Sequence, residues 1–176
     1  MPTPSAFPAF DTGDNGFMNT VVLGWDPDRG NRWSPSYADC LRRCREGHGL
    51  LERWPVRDWH LAPAGTRVHL MLLGRQRGLI GRGTVRSAPF LAADPARPGQ
   101  VIHHVLVEWE TLVPLDRRIP VEALEAAVPE LEWRGSYAPA VPLSPEGAQQ
   151  LDLMWAASAL SPARRLTRTA LRLLRR

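Results

Sequence analysis

The stretch Arg67 to Arg86, RVHLMLLGRQRGLIGRGTVR, constrains this chain more than any other. Val68 to Leu73 is an apolar, β-rich run. Gly74, Arg75, Gln76, Arg77 and Gly78 break it, and Leu79 to Val85 resumes it. Two such runs around a short glycine-bounded break predict a β-hairpin. Gly78, Gly81 and Gly83 leave room for a backbone or a ligand to come close to the second strand. The neighbourhood also carries one sign of charge: from Trp59 to Ala93 there are five arginines, two histidines and no Asp or Glu. A hairpin so charged is an expected docking edge for a polyanion.

The flanking pattern places the hairpin in a mixed fold. Asn19 to Gly24 reads as a short strand followed by a turn over Trp25 to Gly30. Ser34 and Pro35 start a helix that runs to about Glu46 and stops at Gly47. Leu50 to Ala64 reads as a connector and Ser87 to Gln100 as a loop with three prolines. Val101 to Leu112 is the longest strand candidate. Pro120 opens a short helix that ends at Val128, Glu132 to Val141 is extended, and Ser144-Pro145 caps a helix to about Ala157. Strands in the middle, helices at intervals and no regular βαβ alternation predict an α+β fold, a small mixed barrel with flanking helices. Residues 1–16 are expected to be a disordered leader, 17–159 the folded domain and 160–176 a basic C-terminal helix.

Charge bounds the function classes. All 22 positive side chains are arginine, and six of them fall in the last 13 residues. The remaining 16 face 18 acids, so the body sits near −2 and only the local patch argues for a nucleic-acid partner. Without lysine there is no phosphate loop of the Gly-Lys kind and no Schiff-base lysine. No apolar run approaches the roughly 18 residues of a membrane helix, and the start lacks a secretory pattern, so a cytoplasmic location is the default expectation.

Seven tryptophans against two tyrosines invite an aromatic cage. Trp109 and Trp155 lie in regular segments and are expected in the core. Trp25, Trp33, Trp54, Trp59 and Trp133 lie beside turn residues, and two or three of them are expected to line a pocket. His103 and His104 are adjacent on a strand and point to opposite faces, which argues against a shared metal ion. Cys40, Cys44 and His48 share one helical side but lack a fourth ligand, and buried thiols are the commoner outcome. No serine sits in a nucleophile-elbow setting. Neither a metal nor a cofactor is expected.

Several segments, in order, resemble the EVE domain branch of the PUA-like superfamily, particularly the modules placed ahead of HNH nucleases in modification-dependent restriction proteins. Gly24-Trp25-Asp26-Pro27-Asp28-Arg29 is similar to the family's opening strand and Trp-Asn-Pro-Asp turn, with Asp26 where Asn is usual. Trp54-Pro55-Val56-Arg57 and Pro63-Ala64-Gly65-Thr66-Arg67-Val68 resemble the Trp-containing segment and the next strand entry, with Thr66 in place of Asp. Arg77 to Gly83 resembles the Gly-Ile-Val-Gly-x-Gly strand, and Val107-Glu108-Trp109 a later one. Trp133, Ser136 and Leu151 to Trp155 resemble the closing segment, with Tyr137 replacing its Gly. The resemblance spans about residues 19 to 157 and implies a PUA-like pseudo-barrel that binds nucleic acid.

The resemblance also implies a flipped, modified base between aromatic rings. On that reading Trp25, Trp33 and Trp54 sandwich the base, with Trp59 and Tyr137 in the same lining, and Asp26, Arg57 and Ser136 read its edge. Arg75, Arg77, Arg82 and Arg86, with Gly78, hold phosphates. DNA ranks ahead of RNA as partner, and any nuclease would come from another chain. Two alternatives stay open: an RNA-binding or ASCH-like nucleic-acid hydrolase, although such sites lean on a lysine, and a regulatory protein that binds a small ligand or a partner.

Overall fold

The computed structural model describes residues 19–30, 32–94, 97–135 and 140–158. The expected leader and C-terminal basic helix, together with Ser136 and Tyr137, lie outside the described residues. Eight strands form one mixed sheet: β1 (Thr20–Trp25), β2 (Leu50–Pro55), β3 (Arg67–Leu72), β4 (Gly78–Val85), β5 (Phe90–Ala93), β6 (Val101–Leu112), β7 (Ile119–Pro120) and β8 (Val141–Pro142). Helices α1 (Tyr37–Arg45), α2 (Val121–Ala127) and α3 (residues 145–158) flank it. The fold is α+β. The strand order is β2-β6-β4-β3-β1-β8, with β5 on β6 and β7 on β4. The β1–β3 pair is parallel, with the crossover through α1 and β2, and the other pairs are antiparallel.

The hairpin of β3 and β4 sits at the centre of this order, with a register shift at Leu70/Met71. What comes close to its glycines is the neighbouring strands, by backbone at Gly78 and Gly83 and by a leucine side chain at Gly81. A Cβ on Gly83 would collide with the Glu108 carbonyl of β6, one on Gly78 with the Ile119 carbonyl, and one on Gly81 would meet Leu112 Cδ2 at 2.7 Å. Gly78 therefore serves strand pairing, which corrects its expected place in a phosphate cradle.

Alternating residues send each strand's apolar side chains to two cores. Val21, Leu23 and Trp25 of β1 join Val68, Leu70, Leu72, Trp54, Val107 and Trp109 in the first core, closed by α1 through Cys40, Leu41 and Tyr37. Val22, Met71 and Leu79 join Trp133, Leu151 and Trp155 in the second, under α2 and α3. The first core shows that the sheet is curled. Strands β1 and β2 are four places apart, roughly 19 Å in a flat sheet. Yet the rings of Trp25 and Trp54 both lie 5.6 Å from that of Trp33. A single tryptophan bridges the two ends, the geometry expected of a pseudo-barrel.

Four segments differ from the sequence reading. The supposed connector after Leu50 begins as strand β2, with Leu50 and Trp54 buried and the residues between them more exposed. The proline-bearing loop contains β5, which extends the β4 side of β6. Helix α1 starts two residues later than expected, because Ser36 rather than Ser34 is the N-cap and accepts the Asp39 N–H. The segment 132–141 is not one extended run: residues 133–135 form a turn.

Candidate nucleic-acid interface

The tryptophans expected to form a cage are core residues. Trp25, Trp33 and Trp54 are 4%, 3% and 2% exposed. Trp25 stacks on Tyr37 at 5.2 Å, and Trp33 contacts Trp54 at 5.6 Å and Trp109 at 6.0 Å. A base cannot enter between rings that already fill the space between one another, so the Trp25–Trp33–Trp54 sandwich is corrected to packing. The physical reason is the curl of the sheet, which turns these near-turn positions inward. Burying a ring of this size contributes several kcal/mol, about 4–6 at 150–250 Å² of surface. Asp26 is likewise occupied: its Oδ1 accepts the Asp28 N–H at 3.1 Å and its Oδ2 lies 3.3 Å from Arg29 Nε.

The one-signed hairpin is also neutralised by parts of the chain remote in sequence. Residues on alternate positions of β3, β4 and β6 share the face that looks toward α3. There Arg67 Nη1 lies 3.1 Å from Asp152 Oδ2 and Arg82 Nη1 3.5 Å from Asp152 Oδ1. Arg86 Nε donates to Glu108 Oε2 at 2.6 Å, and Thr84 Oγ1 donates to Glu110 Oε1 at 2.6 Å. The fully buried His69 places Nε2 3.6 Å from Asp152 Oδ1. The His69 contact, then that of Arg67, holds the Asp152 carboxyl below the usual carboxylate range against the opposing effect of its burial. Three arginines face three carboxylates, so this face carries no net charge from them. Arg82 and Arg86, expected to hold phosphates, are partners in ion pairs in this fold. Arg77 is a clamp, with Nη1 donating to the Trp133 and Gly135 carbonyls at 3.1 and 2.7 Å. Arg75 alone of the expected set is exposed with no partner among the described residues.

Sequence alternation on β6 puts Glu108 and Glu110 on one face, but the register that sets Glu108 opposite Thr84 appears only in the fold. Asp152 arrives on a helix more than sixty residues further on, and no local signal announces it.

A different edge combines exposed aromatics with free cations. Trp59, in a 3-10 turn over Trp59–Leu61, is 44% exposed, whereas each of the other tryptophans is at most 4% exposed. Its ring lies 5.1 Å from that of His103 with the planes 31° apart. His103 points to the first-core face of β6, and its carbonyl accepts the Val56 N–H at 2.8 Å. On the same face the Arg32 guanidinium lies 5.9 Å over Trp54, so the aromatic core is capped by a cation where it nears the surface. On the other face of the β5–β6 ribbon, Phe90 stacks on His104 with centroids 6.1 Å apart. His103 and His104 thus diverge as the strand period requires. Burial pushes the His104 imidazole below its usual range, a backbone hydrogen bond to Ile102 opposes this, and nearby Arg53 and Arg32 add to the lowering. Arg53 and Arg57 are exposed and make no ion pair among the described residues. Leu91 and Val101, 62% and 64% exposed, extend the apolar surface along the ribbon. Of the expected site residues, this edge brings together Trp59 and Arg57.

No family model matches the chain. No curated protein matches it either. Among solved structures, the chain is similar to a ZmASCH mutant protein from Zymomonas mobilis, with TM-score 0.47 and 10% identity over 75% of this chain and 95% of that one. It is similar to a structural-genomics protein from Pseudomonas syringae, with TM-score 0.46 and 16% identity over 79% and 99% of the two chains. It is also similar to the MmI1 YTH domain, with TM-score 0.45 and 10% identity over 79% and 96%. Among the described residues no helix is long and apolar enough to cross a membrane.

Proposed function

We propose that this chain is a non-catalytic nucleic-acid-binding module of the PUA-like kind, which holds an unpaired base against Trp59 at the β2–β5–β6 edge. The observation that carries the reading is the exposed Trp59 ring braced on His103, with the exposed cation Arg57 two residues before it in the chain and Arg53 on the opposite, His104-bearing face of the same edge. A stacked imidazole limits the motion of the indole, so the platform is ordered before a base arrives. Base-on-aromatic stacking contributes about 1–3 kcal/mol per base and tolerates any base. The arginines supply phosphate contacts that add affinity without reading sequence. Selection of a modified base in DNA needs an enclosing pocket, and the open Trp59 surface favours stacking without such selection.

The test is fluorescence anisotropy with single-stranded DNA and RNA, each with and without methylated bases. Binding should be measurable at low salt and weaken as salt rises, by a logarithmic slope of about −0.7 per phosphate contacted. Trp59→Ala should weaken it by about tenfold or more while leaving Tm nearly unchanged, because the ring is exposed. Equal affinity of Trp59→Ala and wild type, or no binding to any strand at low salt, would end the proposal. A strong preference for a methylated base in DNA would restore the finer reading.

A further inference from the structure

At the far end of the hairpin the β3–β4 turn meets the start of α2 and the 133–135 turn. Gly74, Arg75, Arg77, Arg118, Val121, Glu122 and Arg134 line a cleft of about 270 Å³ there. Four guanidinium groups and one carboxylate line it. The Asp26 carboxylate, engaged with the Arg29 side chain and its own turn, and the Asp28 carboxylate lie beside Gly74 at its rim. The lining carboxylate, Glu122, is already engaged: Arg134 Nη2 donates to Glu122 Oε1 at 3.1 Å, and Arg134 also makes two bonds to Glu125. Hydrogen bonding to its own backbone N–H, then to Arg134, holds the Glu122 carboxyl below its usual range, so it stays ionised and paired.

The other three arginines make no ion pair among the described residues, Arg118 acting on Glu122 only from beyond contact distance, and two of them are held in place. Arg77 is fixed by the Trp133 and Gly135 carbonyls. Arg118 is fixed through Nε to the Arg77 carbonyl at 3.2 Å and Nη1 to the Leu115 carbonyl at 3.0 Å. Each guanidinium has five N–H donors, and each of these two uses two on carbonyls, which leaves three apiece. Exposed Arg75 adds five more. Neutral carbonyls orient these cations without cancelling their charge. Like charges gathered on a rigid frame repel one another until an anion sits between them.

We propose that this cleft binds a phosphomonoester dianion, separately from the Trp59 edge and independently of its function. The planar forks of Arg77 and Arg118 suit bidentate contact with phosphate oxygens. The volume falls below the roughly 300–1,000 Å³ of sites that enclose whole drug-sized ligands, so the cleft takes the phosphoryl group and leaves the rest outside. The same chemistry arises from the terminal phosphate of a nucleic-acid strand and from a free nucleotide or inorganic phosphate.

The experiment titrates the full chain with inorganic phosphate and a nucleoside monophosphate, followed by 31P NMR. In parallel, anisotropy compares one oligonucleotide bearing a terminal phosphate with the same strand ending in hydroxyl. Saturable binding of the small phosphates, weakened about tenfold by Arg75→Ala, supports the cleft and assigns it to free phosphomonoesters. A tenfold advantage of the phosphate-ended strand that Arg75→Ala removes supports it and assigns it to strand ends. Arg75 has no bonding partner among the described residues, so its variant should melt with wild type, and Trp59→Ala should leave phosphate binding intact. If no phosphate shifts the 31P signal and both strands bind equally, the proposal is wrong. Failure of strand binding with retained phosphate binding would instead overturn the Trp59 reading alone.

Discussion

Replacing Asp152 by Asn should make the protein less stable and, at low salt, stickier toward polyanions. Asp152 sits on α3 and faces Arg67, Arg82 and His69 across the hairpin, with Glu110 a second, more distant partner of Arg82 at 4.0 Å. Exposed ion pairs contribute about 0–1 kcal/mol, whereas removing one partner of a buried pair costs about 3–5. The Asp152 side chain is 38% exposed, against 20% for Arg67 and 24% for Arg82, so solvent screens much of the attraction. We therefore expect about 1–2 kcal/mol, a Tm decrease of about 2–8 °C for a chain of this size. The pH dependence follows from the lowered carboxyl. A carboxyl whose folded pKa lies below its unfolded value, about 3.9, stabilises the fold above that value and loses the effect as pH falls through the folded one. The Tm gap between wild type and Asp152→Asn should be flat above about pH 5 and close under acid. Meanwhile the face goes from balanced to one excess positive charge, so nonspecific DNA binding at low salt should tighten. Thermal melts from pH 3 to 8, paired with anisotropy, measure both. A variant within about 0.5 kcal/mol of wild type at pH 7, or a gap unchanged at pH 3, would show that Asp152 is not the hub that neutralises the hairpin.

Gly83→Ala drives a methyl into the Glu108 carbonyl of the partner strand, so β4 and β6 must separate. The expected cost is about 1–3 kcal/mol, seen as a lower midpoint in urea with the slope unchanged. Cys44 is half-buried and donates its S–H to the Trp109 carbonyl at 3.4 Å. Burial pushes its thiol up to about 11, and Cys40 is raised as well. Both should resist alkylation at pH 8 on the folded protein and react promptly once denaturant is added. A fast-reacting thiol in the native state would contradict the packing of α1 on β6.

The sequence by itself determined the elements whose signals are local. Strand β6 spans Val101–Leu112 as its apolar run predicts, and Ser144 caps α3 with its hydroxyl accepting the Gly147 N–H. The glycine-bounded break between Leu73 and Leu79 marked the hairpin, and the period of two sent His103 and His104 to opposite faces. Strand β5 escaped notice because four residues between prolines carry too little pattern to register. The site was far less legible. Trp25, Trp33, Trp54 and Trp59 all neighbour turn residues and look alike in sequence. Only the curl of the sheet, which folds β1 back toward β2, buries three of them and leaves the fourth outside. Charge behaved the same way. A run of five arginines without an acid looks like a docking edge, but Coulomb interactions follow distance in space. Glu108, Glu110 and Asp152 cancel three of the five, and Arg77 and Arg118 are gathered into one cleft by backbone carbonyls. Which hairpin cations remain free is therefore a property of strand register and helix placement, decided only in the tertiary structure.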